Sequence, residues 1–330
     1  MKPSHIVSSL KTLLSIRRPV FLWGAPGVGK SEVVAEVARS LGYELRDIRA
    51  VLLDPVDLRG IPRITAAGGT EWCPPSFLPD ARSSGKGILF LDELNAAPPL
   101  VQAACYQLIL DRRIGEYVLP EGWVVVAAGN REKDRAVTHR MPSALANRMV
   151  HLEFDVSLDD WLVWAERAGI RPEVTAFLRF RPALLHDFDP QLSSRAFASP
   201  RSWSFVSDIL KAGPDSAVEY GLIRGAVGDG AAAEFMGFLS VWRDLPSVDE
   251  VLAVPQEAKV PTEPAALYAV SEALARRLTP AGMEKAAVYL ERLPVEFGVL
   301  CLRQAVCREP ALVETPSFAR WAQNHADVLL

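Results

Sequence analysis

The sequence predicts an α/β architecture, a five-stranded parallel sheet covered by helices on both faces, followed by a second half that is all helix. Three observations predict it. Short apolar runs bounded by turn residues alternate with helically spaced patterns as far as Phe154, and a parallel connection needs a crossover long enough to hold a helix. A glycine-rich segment joins the first apolar run to the first helical pattern. From Ser157 onward the apolar spacing is helical throughout.

Taken in order, Ile6, Leu10, Leu13 and Leu14 stand at helical spacing before Arg17-Arg18. Strands are expected at Pro19–Trp23, Tyr43–Val51, Gly87–Leu94, Trp123–Asn130 and Met149–Phe154, with helices at Lys30–Leu41, Pro98–Arg112 and Pro142–Arg148 between them. The stretch from Asp54 to Pro79 is too long for a plain connection. Its Ala66-Ala67-Gly68-Gly69 tip between Ile61–Thr65 and Thr70–Cys73 reads as a hairpin.

The glycine-rich segment is Gly24-Ala25-Pro26-Gly27-Val28-Gly29-Lys30-Ser31, which fits G-x-x-x-x-G-K-[ST] without a mismatch and lies between strand and helix as that pattern requires. Glycines let successive backbone N–H groups face phosphate oxygens, and a helix N-terminus adds partial positive charge there. Lys30 then reaches the β- and γ-phosphates, and Ser31 offers a hydroxyl to Mg2+. Hence the fold expected is that of a P-loop NTPase, an αβα sandwich that binds a nucleoside triphosphate; that the nucleotide is ATP is implied by the family resemblance given below.

Two further strand ends carry chemistry. The run Gly87-Ile88-Leu89-Phe90-Leu91 ends in Asp92-Glu93. Strand alternation should place the two acids on different sides, Asp92 ordering the magnesium shell and Glu93 polarising a water. The run Trp123–Gly129 ends in Asn130, whose amide can hydrogen-bond both the γ-phosphate and the attacking water.

With these motifs the chain resembles the AAA+ ATPases, and among them the MoxR-like family, from the first strand to about Lys211. Walker A lies at Gly24–Ser31, Walker B at Ile88–Glu93 and sensor 1 at Asn130. Met141-Pro142-Ser143-Ala144-Leu145-Ala146-Asn147-Arg148-Met149 is similar to the family's stretch ending in an arginine finger, which makes Arg148 the finger, with Arg140 as the alternative. Ala198-Ser199-Pro200-Arg201 is similar to the sensor 2 signature, which makes Arg201 the lid arginine. The resemblance implies that the Asp54–Pro79 hairpin is a helix-2 insert and the Arg113–Pro120 hairpin a pre-sensor 1 hairpin, both facing a ring's pore. It also implies a ring-forming homo-oligomer, expected to be a hexamer, that remodels protein clients with a von Willebrand factor A-domain partner.

The second half supplies helices from a Ser157-Leu158-Asp159-Asp160 capping box onward. The division expected is an ATPase core over residues 1–156, a helical lid over 157–245 and a helical C-terminal extension over 246–330. A mobile linker with Pro246, Pro255, Pro261 and Pro264 is expected after the lid. Phe297, Leu300, Cys301 and Trp321 read as core.

Composition sets the class. A net charge of −4 over 330 residues argues against a nucleic-acid footprint spread over the surface. Cys73, Cys105, Cys301 and Cys307 form no C-x-x-C pair, and the five histidines are scattered, so no metal is assigned to them. The longest apolar runs are too short to span a membrane, and a cytoplasmic protein is expected. Two other functions stay open at this point: a nucleotide-gated scaffold in which ATP binding controls assembly, and a DNA-associated AAA+ motor.

Overall fold

The computed structural model describes residues 1–80, 85–134, 141–192 and 195–325. Two compact units divide the chain. The first holds Met1–Trp164, His186–Ser194 and Ser199–Arg201, and the second holds the remainder.

The first unit contains strands β1 (Val20–Trp23), β2 (Glu44–Arg49), β3 (Ile61–Ile64), β4 (Thr70–Cys73), β5 (Gly87–Asp92), β6 (Arg113–Ile114), β7 (Tyr117–Val118), β8 (Trp123–Gly129) and β9 (Val150–Glu153). Its helices are α1 (Pro3–Ser15), α2 (Lys30–Leu41), α3 (Pro55–Arg59), α4 (Pro99–Asp111) and α5 (Ser143–Ala146), with α6 (Leu158–Arg167) at its boundary. The expected five-stranded sheet forms in the order β2-β5-β8-β1-β9. Every neighbouring pair in it is parallel.

Alternation along the central strands builds a core on each face. Phe21, Leu89, Leu91, Val125 and Ala127 pack with Val101, Cys105 and Leu108 of α4. Val20, Leu22, Ile88, Phe90, Val124 and Val126 pack with Ile6, Leu10 and Leu14 of α1 and Val34 and Val37 of α2. Both faces being covered explains why β5 and β8 read as unbroken apolar runs. Each such side chain contributes about 1.5–3 kcal/mol of burial. From β1 the chain runs on to edge strand β2, whereas from its neighbour β8 it passes to the opposite edge, β9. The carboxyl ends of strands at such a reversal are where open parallel sheets take ligands. Both expected hairpins form, β3 with β4 and β6 with β7, each antiparallel.

The second unit is helical. It contains α7 (Pro172–Phe180), α8 (Pro200–Ala212) from Ser202 onward, α9 (Ser216–Val227), α10 (Asp229–Arg243), α11 (Val248–Ala253), α12 (Pro264–Arg277), α13 (Met283–Leu290), α14 (Val295–Arg308) and α15 (Pro316–Asn324). Phe177, Trp203 and Phe235 form one aromatic centre, with ring centroids 5.2–5.5 Å apart. Leu267, Val270 and Leu274 of α12 join Met283, Tyr289, Cys301 and Trp321 in a second cluster. Buried Glu272 on α12 pairs with Arg179 of α7 and Arg276, and Arg276 also donates to Thr175 of α7.

Three local expectations change. The proline-bearing linker holds a helix, α11, closed by a reciprocal capping box between Ser247 and Glu250; the prolines flank this helix without interrupting it. At Ser157 the box is half made: the Asp160 N–H donates to Ser157 Oγ at 3.4 Å, but the Asp160 carboxylate accepts from the Ser4 N–H at 2.6 Å. Helix α5 is a single turn that stops at Ala146, because the chain must turn at Asn147–Arg148 to bring the Val150 N–H to the Pro19 carbonyl at 3.0 Å. Among the described residues no helix is long and apolar enough to cross a membrane. All four cysteines are free thiols, and burial pushes Cys105 up to about 12.

Candidate nucleotide site

At the carboxyl ends of β1, β5 and β8 a pocket of the first unit is lined by residues 26–31, Asp92, Glu93, Gly129, Asn130 and Arg201. The loop from β1 to α2 turns through left-handed backbone at Gly27 (φ 76°) and Gly29 (φ 100°), conformations that a side chain would strain. Gly29 is also the N-cap of α2 and brings no side-chain cap, so the first N–H groups of the helix are left for an anion in the pocket.

Lys30 is the most heavily bonded side chain of the loop. Its Nζ donates to the carbonyls of Gly24 (2.7 Å) and Ala25 (3.1 Å) and to Asn130 Oδ1 (3.1 Å). Burial pulls its ammonium down to about 8, against the opposing pull of Asp92 and Asp134. Ser31 Oγ donates to Asp92 Oδ2 at 2.8 Å. This pair presents only hard oxygen donors at one point of the pocket, a donor set that fits magnesium.

The two acids separate by a different device from the one expected. Strand β5 ends at Asp92, and Glu93 turns through left-handed backbone (φ 55°), its N–H donating to Asp92 Oδ1 at 2.9 Å. For a residue with a Cβ that conformation costs about 1–2 kcal/mol, and such outliers gather at functional sites. Asn130 follows the last residue of β8.

Arg201 reaches the pocket from the first turn of α8, and its N–H donates to the Gly27 carbonyl at 3.3 Å. A Cβ on Gly27 would lie 2.8 Å from Ser199 Oγ, so the phosphate loop and the segment carrying Arg201 are in close contact. Arg148 is not brought to this pocket. It is exposed in the turn after α5, and its guanidinium has no partner among the described residues. Arg140 lies outside the described residues.

Three residues around the site lie outside the motifs read from the sequence. Buried Asp134 accepts from the Arg131 N–H at 3.1 Å, His186 meets the Pro26 carbonyl at 3.4 Å, and Asn95 Nδ2 donates to the Asn130 carbonyl at 2.7 Å. Asn95 alone had a readable position, a polar residue two places after the acids; the other two are brought in by tertiary structure.

Residues 19–149 match the family model of the AAA domain, dynein-related subfamily. The match covers the phosphate loop, both acids, Asn130 and Arg148, while Arg201 and the second unit lie beyond it. Midasin from Giardia intestinalis is 30% identical over 162 residues, which are 46% of this chain and 3% of that protein. The chain thus spans a small fraction of the length of this relative. NtrX from Brucella abortus in complex with ADP is 16% identical, with 90% of this chain and 68% of that chain covered and a TM-score of 0.42. A point variant of RuvB from Thermotoga maritima is 18% identical, with 77% and 76% covered and a TM-score of 0.39. The phosphate loop between β1 and α2, with both acids and Asn130 at the ends of β5 and β8, gives this pocket the geometry of a P-loop nucleotide site.

Proposed function

We propose that the protein is a MoxR-like AAA+ ATPase that hydrolyses Mg·ATP, works as a ring of identical subunits and remodels protein clients in the cytoplasm. The observation that carries this reading is the convergence of the phosphate loop, Asp92, Glu93, Asn130 and Arg201 on one pocket, with Arg148 exposed outside it.

In this reading the loop N–H groups and Lys30 hold the β- and γ-phosphates, and Arg201 contacts the γ-phosphate. Ser31 and Asp92 would hold magnesium, whose charge offsets that of the phosphates. Glu93 polarises the attacking water and Asn130 orients it. Arg148, directed to solvent, reaches the pocket of a neighbouring subunit, where a planar guanidinium matches charge spread over phosphoryl oxygens. Phosphate release is passed on from Arg201 because α8 continues from its first turn into the helical part. In this reading the lid spans residues 157–245 and the C-terminal extension residues 246–330.

The hairpin β3–β4 supports a client-facing role, since Ile61 and Ile64 are 71% and 80% exposed. Exposed apolar side chains along an insert suit contact with polypeptide. A von Willebrand factor A-domain adaptor belongs to the same reading.

The test is turnover per subunit across a dilution series with saturating Mg·ATP, alongside oligomeric mass by light scattering. Assembly and turnover should rise together, and Glu93→Gln should assemble and bind ATP with turnover down by roughly 10²–10⁴-fold. A monomer that splits ATP equally fast at every dilution would refute the ring.

A further inference from the structure

The ladder between β5 and β8 ends at Leu91 and Ala127. Glu93 and Asn130, the proposed base and its amide partner, both lie past that point, where no strand pairing fixes one against the other. One side chain bridges them. Asn95, 3% exposed, sits in the short 3-10 turn Leu94–Ala96 whose N-cap is Glu93, and its Nδ2 donates to the Asn130 carbonyl at 2.7 Å.

The bridge is close-packed. A Cβ on Gly129 would lie 2.1 Å from Asn95 Oδ1, so the amide occupies the space that a side chain there would need. That Oδ1 is buried without a hydrogen-bond partner among the described residues. An unmet buried acceptor costs stability, a cost that an apolar residue at position 95 would not carry; what it retains is a donor aimed at residue 130. Behind it, Gln102 Nε2 donates to the Ala97 carbonyl at 2.8 Å and reaches the Asn95 carbonyl at 3.4 Å, and Tyr106 donates to Gln102 Oε1. Gln102 is itself buried, so α4 holds the turn from below.

We infer that Asn95 is a positioning residue of the hydrolytic site: it fixes the separation between Glu93 and Asn130, and Gln102 and Tyr106 brace it from α4. The inference rests on the proposed roles of Glu93 and Asn130. The donor is needed because only an N–H can bind the Asn130 carbonyl, and Gly129 is needed because the amide must pass over it.

The experiment compares Asn95→Asp, which keeps the shape and removes the donor, with Asn95→Ala, which removes the bridge without burying a charge. Steady-state kcat and KM for ATP, ADP affinity and Tm are measured for each. Loss of one buried hydrogen bond used in the transition state should lower kcat roughly 10–100-fold, with KM and ADP affinity within about threefold of wild type. Wild-type kcat in a folded Asn95→Ala protein overturns the inference. So does a parallel fall of kcat, ADP affinity and Tm, which marks a purely structural residue. If Asn95→Asp does not fold, Asn95→Ala alone decides between these results. Glu93→Gln and Asn130→Ala run beside them: full turnover in both means that the site assignment has failed, whereas loss in both with Asn95→Ala intact means that only the positioning role has.

Discussion

Lys30 Nζ donates to Asn130 Oδ1 across 3.1 Å, so the phosphate loop and the residue after β8 are bonded to each other. The same ammonium holds the Gly24 and Ala25 carbonyls. Lys30→Met should weaken ATP binding by roughly 10–100-fold, the loss of a charge-assisted hydrogen bond. Titration of a fluorescent ATP analogue checks it; unchanged affinity removes Lys30 from the site.

Arg148 makes a prediction that a residue of its own pocket would not. Glu93→Gln subunits lack the base but offer the arginine, and Arg148→Ala subunits lack the arginine but keep the base. Each alone should be nearly inactive. Mixed in equal parts, random neighbours restore an intact pairing at roughly a quarter of the interfaces if the finger acts in trans. Phosphate release by the mixture checks this, and no recovery means that Arg148 acts within its own subunit or not at all. The same mixture with Arg140→Ala separates the two candidates.

What the sequence made legible was local. The phosphate loop is eight consecutive residues in a fixed pattern, and α2 runs over Lys30–Leu41 as its spacing predicts. Strands β5 and β8 announced themselves because burial on both faces forces unbroken apolar runs. The left-handed turn at Glu93 was not legible, since glutamate has no local reason to adopt it and the surrounding packing imposes it. Asp134 and His186 lie four residues and 56 residues beyond Asn130, and tertiary structure alone brings them to the loop. At α11 the signal was present as Ser247 and Glu250 three apart, but the flanking prolines outweighed it although neither stands inside the helix.

The β3–β4 hairpin hangs on Gly60, the C-cap of α3, which has a φ of 83° and would place a Cβ 1.9 Å from the Cys73 carbonyl oxygen. Gly60→Ala meets both a left-handed backbone and a backbone clash, so the strand pair must move apart there. Amide exchange across Thr70–Cys73 should accelerate at least about tenfold, the equivalent of about 1.4 kcal/mol of local opening. ATP affinity should stay within about twofold, because the hairpin contributes nothing to the pocket lining. If the hairpin meets clients, this variant keeps basal turnover and loses client action. Slow exchange in the variant would show that the backbone accommodates the methyl group.

His186 gives a pH dependence whose sign follows from its surroundings. Its Nε2 meets the Pro26 carbonyl of the phosphate loop at 3.4 Å, and Phe188 lies beside its ring. Burial lowers its affinity for a proton, the Pro26 carbonyl, Asp134 and Asp187 raise it, and Arg131 lowers it; burial is the largest of these, and the net shift is downward from 6.5. The folded protein therefore keeps this imidazole neutral in a range where the unfolded chain has taken up a proton. Stability from this group is present above pH 6.5 and is lost as pH falls from there through the lower folded value. His186→Gln keeps an N–H donor for Pro26 and removes the titration. Between pH 7.5 and 5.5, then, Tm should fall more steeply in the wild type than in His186→Gln, measured by calorimetry in matched buffers at constant ionic strength. Parallel curves would mean that His186 titrates alike in the folded and unfolded chains, and that its burial against the loop carries no energetic weight.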